Sequence, residues 1–212
     1  MSKAEEFWNK TSANYDKSEE RFEYIHNKTG RKAENHLKNT DIVLDFGCGT
    51  GTKSCELANR VEEIHAIDIS SEMIDIAKSK ATSKNINNVN FQQTTLFDER
   101  YQEGSFDVVL AFNMLHTVDN PLKVIKRIHE LLKHDGLFIS STPCLADKKS
   151  LLVSLQMYLV TILSKIGVIP IAIRRYKSAH IDELITTESF QLVESDQIYK
   201  GASSYFIVVK KQ

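Results

Sequence analysis

Apolar and polar positions divide the chain into short apolar runs and longer stretches in which apolar residues recur every three or four positions. The first pattern is typical of buried strands, and the second is typical of helices with one face on a core. Strands are indicated at 42–46, 63–69, 89–93, 105–112 and 137–142. Because helical stretches separate them, the pattern predicts an α/β fold with a doubly wound, mostly parallel sheet.

The helical stretches of this core are indicated at 52–59 and 72–80, where apolar residues are spaced to face the sheet. Pro121 opens a further helix, because its missing N–H costs nothing at the first helical position. We expect the segment 133–136 to end that helix, with Gly136 in the position that follows a helix C-terminus.

Both ends of the chain add elements to this core. Residues 1–38 are expected to form a helical cap on the ligand side or edge of the sheet, and residues 147–178 a helical lid insertion. A short helix is indicated at 181–187, and apolar runs at 190–193 and 205–209 predict a C-terminal antiparallel hairpin that completes seven strands. One domain over residues 1–212 is expected, because two independent domains would be cramped at this length.

The stretch 42–52 is the first candidate site. A run of branched apolar residues leads to Asp45, and Gly47, Gly49 and Gly51 follow at alternate positions. Glycines let the backbone approach a ligand, while the N–H groups of the next helix point into the same crevice. Asp68 ends the following strand, where a carboxylate can accept two hydrogen bonds from a ribose diol. The spacing G-x-G-x-G, in place of G-x-G-x-x-G, favours a nucleoside without a pyrophosphate.

Three motifs in this order resemble the class I S-adenosylmethionine-dependent methyltransferases, in the small-molecule branch that includes the ubiquinone- and menaquinone-biosynthesis-type enzymes. They are the glycine turn at 45–51, the strand end and helix start at 66–74, and the strand and loop at 104–116. The resemblance covers roughly residues 40–145. It implies a Rossmann-like fold, S-adenosylmethionine as cofactor and methyl transfer by in-line displacement.

The resemblance also implies roles for individual residues. Asp45 and the glycine turn, with Cys48, would hold the methionine end of the cofactor, and Asp68 the ribose. The Asn113 backbone would contact the amino acid part. The adenine ring would lie between Ile69 and Leu96, and further contacts are expected from Tyr15, Met73, Thr94 and Thr95.

Other interpretations of these residues stay open. Tyr15 also fits an amphipathic packing residue, and Ile69 and Leu96 fit buried core positions. The two acids fit helix N-caps or loop acids. Thr94 stands where relatives commonly carry an acid, and the proline that they usually carry before the glycine at 136 is absent, with His134 and Asp135 in its place.

His116 is the candidate catalytic residue. It follows the fourth strand near the expected methyl position, and an imidazole titrates in the range required to take a proton from a hydroxyl or a ring carbon. Its alternative role is to shape the pocket wall. We expect no metal site, since no H-x-x-x-H spacing or Cys/His cluster occurs in the sequence.

Composition and charge narrow the classes of partner. The chain has 42% hydrophobic and 26% charged residues and a net charge of −1, which argues against disorder and against nucleic-acid binding. Three cysteines without C-x-x-C spacing fit reduced thiols, and residues 1–6 lack the apolar run of a secretory signal. A cytoplasmic protein acting on a small-molecule acceptor is expected, as a monomer or homodimer.

The stretch 150–173 is strongly apolar, but Lys165, Gly167 and Pro170 interrupt it, so we do not expect it to span a membrane. As a lid helix at 151–163 it would close the acceptor pocket and favour a partly apolar acceptor. A dimer interface, a core helix, and a membrane-surface helix beside Arg174, Arg175 and Lys177 are the alternatives.

Two other functional classes stay open at this point. A non-catalytic S-adenosylmethionine-binding protein would share the cradle, and the departures at Thr94 and before Gly136 would then mark drift. A nicotinamide-dependent oxidoreductase would share the crevice but requires a different glycine spacing.

Overall fold

Seven strands form one sheet in the computed structural model, which describes residues 1–144, 158, 161–164 and 170–212. In chain order they are β1 (Ile42–Phe46), β2 (Glu63–Asp68), β3 (Val89–Gln93), β4 (Phe106–Phe112), β5 (Leu132–Pro143), β6 (Phe190–Lys200) and β7 (Ala202–Lys211). The spatial order is β3-β2-β1-β4-β5-β7-β6. The first five strands run parallel, and β7 is antiparallel to both β5 and β6. The predicted fold class is therefore confirmed.

Helices cover the sheet and its ligand edge. The described helices are α1 (Lys3–Thr11), α2 (Tyr15–Glu19), α3 (Glu23–Glu34), α4 (Thr52–Leu57), α5 (Ser71–Ser83), α6 (Pro121–Leu131) and α7 (Ser178–Ile185). The first three form the helical cap, with single 3₁₀ turns at Ser12–Asn14 and Glu20–Phe22 between them. The α3 helix is tied to the far edge of the sheet, because Lys32 Nζ lies 2.6 Å from Glu194 Oε1 and 3.0 Å from Asp196 Oδ2 on β6.

The end of α6 differs from the prediction. The helix stops at Leu131, because Leu132 already has the extended backbone that begins β5. The left-handed residue is Asp135, with φ 63°, and not Gly136, and both lie in an irregular part of β5 where the pairing with β4 shifts register. A Cβ on Gly136 would lie 2.9 Å from the Lys133 carbonyl oxygen. That glycine therefore permits a close backbone approach within β5, and the expectation that it ends the helix was wrong.

The C-terminal hairpin is longer than its apolar runs indicate. Its strands cover 190–200 and 202–211, joined at Gly201 with φ 71°. The strand β6 lies at the edge of the sheet and is mostly solvent-exposed. Because it carries many polar side chains, the apolar run in the sequence is shorter than the strand. The β7 strand is buried from Ser203 to Val209.

The core lies on both faces of the sheet. One layer packs Leu44, Val109, Ile125, Phe138 and Ile207, and the other packs Val43, Ile64, Leu110, Ile139 and Phe206. Because neighbouring residues of one strand point to opposite faces, this division follows from the nearly continuous apolar runs of the central strands. All five parallel strands therefore open their carboxyl ends at one edge, which α1 and α2 cover.

Most of the insertion expected at 147–178, including most of the lid helix at 151–163, lies outside the described residues. Within the part of the chain that is described, no helix has the length and apolar character needed to span a bilayer.

Candidate active site

The glycine turn after β1 folds back over the end of β2. The Gly47 and Cys48 N–H groups donate to the Ile67 carbonyl at 2.8 and 3.0 Å. Gly47 has φ 76°, and a Cβ there would overlap the Met114 side chain. The turn and the loop after β4 can therefore touch only because residue 47 has no side chain.

Asp68 stands at the end of β2 with its carboxylate turned toward the glycine turn. Its Oδ2 accepts from the Gly49 N–H at 3.1 Å, and its Oδ1 accepts from the Ser70 N–H at 2.9 Å. Burial raises the pKa of Asp68 above its ordinary value, although these N–H groups oppose the shift. The side chain is thus fixed by two bonds while it still lines a cavity.

Asp45 lies beneath the same turn and is almost completely buried, with 2% of its surface exposed. Its Oδ2 accepts from the Ser54 hydroxyl on α4 at 2.6 Å. Burial raises the pKa of Asp45 to about 6; the Ser54 bond opposes this, and the negative charge of Asp68 adds to it. Two carboxylates therefore flank one glycine turn.

Two cavities of about 550 Å³ each open around this turn. The first, the strand chamber, lies between α1 and the carboxyl ends of β2, β3 and β4. Predicted cofactor residues that line it are Tyr15, Gly47, Gly49, Asp68, Ile69, Met73, Thr94, Thr95, Leu96 and Asn113. The second, the cap chamber, lies between α2, α3 and the glycine turn. Predicted residues that line it are Tyr15, Asp45, Gly47, Cys48, Gly49 and Asn113.

The two chambers join at Tyr15. Its ring lies 3.7 Å from the position that a Cβ on Gly49 would take. Burial raises the pKa of Tyr15, and the nearby charges of Glu19, Asp68 and Asp16 raise it further, so the hydroxyl stays protonated at neutral pH. Besides Tyr15, the chambers share Gly47, Gly49, Phe112 and Asn113. The two cavities are therefore parts of one crevice that Tyr15 spans.

Gly51 and His116 are absent from both chamber walls. Gly51, with φ 72°, packs against α5 and β3, since a Cβ would lie 2.7 Å from both the Ala77 Cβ and the Phe91 ring. The His116 Nδ1 is buried and has no hydrogen-bond partner among the residues that the structure describes. Burial lowers the pKa of His116 to about 4, although the charge of Glu19 opposes this.

Thr94, which stands where relatives commonly carry an acid, is hydrogen-bonded to a nearby acid. Its hydroxyl donates to Asp98 Oδ2 at 2.6 Å, and Arg100 binds the same carboxylate. These bonds hold the pKa of Asp98 well below its usual range. An acid is therefore present beside Thr94, four positions later in the chain than the acid that relatives commonly carry.

The sequence did not single out several residues that line the crevice. Trp8 lies edge-on to Tyr15 with ring centroids 6.3 Å apart, and Met114 covers Gly47. Glu19 and His26 face the cap chamber. The only signal for Trp8 was its place in an amphipathic helix, and no motif marked Glu19 or His26. Met114 lies in the motif at 104–116, which assigned it no role. In the described ranges, no group of three His, Cys, Asp or Glu side chains could hold a metal ion.

Comparisons with known proteins agree on one family. Residues 37–196 match the family model of a methyltransferase domain. The ubiquinone biosynthesis O-methyltransferase of Haemophilus ducreyi is 36% identical over 131 residues, which cover 58% of this chain and 51% of that protein. The demethylmenaquinone methyltransferase of Lactococcus lactis is 26% identical over 232 residues, covering 99% and 90%. The chain thus spans about half the length of the first of these relatives.

A solved structure shares the fold. Geranyl diphosphate C-methyltransferase from Streptomyces coelicolor, in complex with Mg²⁺, geranyl diphosphate and S-adenosyl-L-homocysteine, superposes with a TM-score of 0.70 at 13% identity. The match covers 90% of this chain and 80% of that one. At this identity, the likeness supports the fold alone.

Proposed function

Because this chain belongs to the methyltransferase domain family, as its three motifs predict, with S-adenosylmethionine as its cofactor, we propose that it methylates a small, partly apolar acceptor. The observation that carries the proposal is the placement of Asp45 and Asp68 on either side of the glycine turn. Both acids belong to one continuous crevice, which is large enough for a cofactor and a small acceptor together.

The residues of the crevice fit the parts of the cofactor. In the strand chamber, Asp68 offers a carboxylate to a ribose diol, with Ile69 and Leu96 as apolar walls for an adenine. In the cap chamber, Asp45 offers negative charge to a cationic amino acid end. Tyr15, where the chambers join, would cover the centre of the bound cofactor.

The acceptor is proposed to be partly apolar because of the walls left over in the strand chamber. Trp8, Phe97, Val118 and Ile171 line it together with the proposed adenosine residues. Relatives named for ubiquinone and menaquinone synthesis give an independent reason for the same choice, since those names refer to quinones.

The cofactor supplies a methyl group on a positively charged sulfur, which is already activated for displacement. The protein is then required mainly to align the acceptor and keep water out. Tyr15 and Met114 close the crevice over the glycine turn, and Asn113 lies where the two chambers meet. The role of His116 as proton acceptor stays a prediction.

Calorimetry with S-adenosylmethionine, S-adenosylhomocysteine and NAD tests the cofactor, and methyl transfer to a panel of phenols and quinols with alkyl tails tests the reaction. We expect binding of the first two ligands and turnover on tailed acceptors. Binding of NAD alone would overturn the proposal, and cofactor binding without turnover on any member of the panel would favour a non-catalytic binding protein.

A further inference from the structure

The cap chamber contains a carboxylate–imidazole pair that the assignments above leave unused. Glu19 Oε2 and His26 Nε2 lie 3.0 Å apart, and both side chains line the cavity. Their side chains are 27% and 23% exposed. The pair is therefore accessible from the cavity while being largely shielded from bulk water.

The other charged groups around the chamber are mostly engaged. Asp16 pairs with Lys80 at 2.9 Å, and Glu56 pairs with Lys53. The remaining titratable groups that face the pair or line its chamber are Tyr15, Glu20, Glu23, Asp45, Cys48, Lys84 and His116. Glu19 differs from Asp16 and Glu56 because its partner is an imidazole, whose ring nitrogens can both accept and donate a proton.

The pair is held in place near the junction of the chambers. Glu19 and His26 line the same cavity as Tyr15, the residue at which the two chambers join. The Phe22 ring stands edge-on to His26, with centroids 6.3 Å apart and planes at 89°. The imidazole is thus oriented toward Glu19 before any ligand arrives.

Building on the methyl transfer proposed above, we propose that Glu19 takes the proton from a hydroxyl of the acceptor, with His26 as its positioning residue. The acceptor is then a phenol or a similar hydroxyl compound whose apolar part lies in the strand chamber and whose hydroxyl reaches the cap chamber where the two join. As the acceptor oxygen bonds to the methyl carbon, the carbon–sulfur bond breaks and its electron pair stays on sulfur. The hydroxyl proton moves to Glu19 Oε1 and then to solvent by way of the imidazole. In this assignment His116, which lines neither chamber, is not the proton acceptor.

The test uses 4-nitrocatechol, whose ionisation changes its visible absorbance, bound to the protein with S-adenosylhomocysteine. At a pH where the free probe is protonated, the wild-type protein should bind it in the ionised form. Glu19→Gln should lower the ionised fraction about tenfold, which corresponds to about 1.4 kcal/mol in the proton-transfer equilibrium, and His26→Gln should lower it about threefold. Glu19→Asp should restore part of it, and Glu6→Gln, the same change on α1 outside both chambers, should leave it unchanged.

The outcomes separate this inference from the proposed function. Failure of the wild-type protein to bind S-adenosylhomocysteine overturns the methyltransferase proposal. Cofactor binding with a probe that is unbound or protonated overturns only the role of the pair. Equal ionisation in wild type and Glu19→Gln does the same, and His26→Gln decides if Glu19→Gln does not fold.

Discussion

Position 51 requires glycine for packing as well as for backbone conformation. A Cβ there would lie 2.7 Å from Ala77 and Phe91, whereas a Cβ on Gly104, at a similar φ of 66°, meets nothing within 4 Å. Gly104→Ala should therefore cost only the left-handed conformation, about 1–2 kcal/mol. Gly51→Ala should add an overpacking cost of about 1–3 kcal/mol. Urea unfolding of both variants measures the difference, and equal losses would show that the turn can shift to accommodate a methyl group.

Asp68 is expected to bind cofactor and to hold the turn at the same time. Replacing it by alanine removes a charged acceptor from two ribose hydroxyls, so the affinity for S-adenosylmethionine should fall by about 2–3 kcal/mol. It also frees the Gly49 and Ser70 N–H groups that the carboxylate now binds. Calorimetry gives the first effect and thermal unfolding without ligand the second. Unchanged affinity in a folded variant would remove Asp68 from the site.

Asp45 and His116 should give the stability of the ligand-free protein opposite dependences on pH. The pKa of Asp45 is raised from 3.8 to about 6, so the folded state keeps a proton that the unfolded state has released, and stability falls as pH rises through that window. The pKa of His116 is lowered from 6.5 to about 4, so stability falls as pH drops through an overlapping window. Each slope can reach about 1.4 kcal/mol per pH unit.

Unfolding free energies of Asp45→Asn and His116→Gln between pH 4 and 7 check this. In Asp45→Asn, the unfolding free energy should decrease less with increasing pH than in the wild type. In His116→Gln, it should increase less with increasing pH than in the wild type. Because the pKa of Asp68 is also raised, part of the decrease in stability with increasing pH should remain in Asp45→Asn. Slopes that change in the same direction in both variants would contradict the assigned burial.

At the scale of elements, four side chains join the cap to the site; we call Asp16, Thr50, Thr52 and Lys80 the cap latch. Thr50 donates to Asp16 Oδ1 at 2.6 Å, and Lys80 donates to Asp16 Oδ2 at 2.9 Å and to Thr52 at 2.6 Å. Burial of Asp16 is outweighed by these bonds, which lower its pKa. The latch thus ties Asp16, the neighbour of Tyr15 on α2, to the start of α4 and to the last turn of α5.

Breaking the latch should speed cofactor exchange. Since Asp16 is 54% exposed, its ion pair with Lys80 is worth less than about 1 kcal/mol, and Lys80→Met should raise the dissociation rate of S-adenosylhomocysteine about three- to fivefold. Lys78→Met, at an exposed position of the same helix, is the control. Stopped-flow displacement gives both rates, and an unchanged rate in Lys80→Met would mean that the cap opens without breaking these bonds.

The elements that the sequence predicted well are those that a local pattern of residues identifies. The strands β1 to β4 and the helix start at Pro121 follow from local apolar patterns and one proline. The end of α6 and the length of β6 did not follow. The first accompanies the pairing of Leu132 with Phe106 on β4, and the second accompanies the pairing of β6 with β7, neither of which a local pattern contains.

At the scale of the whole molecule, the site residues also divide into those that the sequence predicted and those that depend on long-range contacts. Asp45, Asp68 and the glycine turn could be found because the carboxyl ends of adjacent parallel strands meet, whatever the loops do. Trp8, Glu19 and His26 reach the crevice through the path of the cap. No local spacing records that path, so these residues could be found only from the structure.

The ion pairs between α3 and β6 join two parts of the chain that are synthesised at different times. Lys32 and its partner Glu194 are 162 positions apart. At 5–20 residues per second, the ribosome adds that length in roughly 8–30 s. During this time Ile25 and Ala33, both buried in the finished protein, have not yet met all of the sheet that covers them. Because β6 and β7 supply part of the surface that buries α3, this helix stays partly exposed until those two strands have been synthesised.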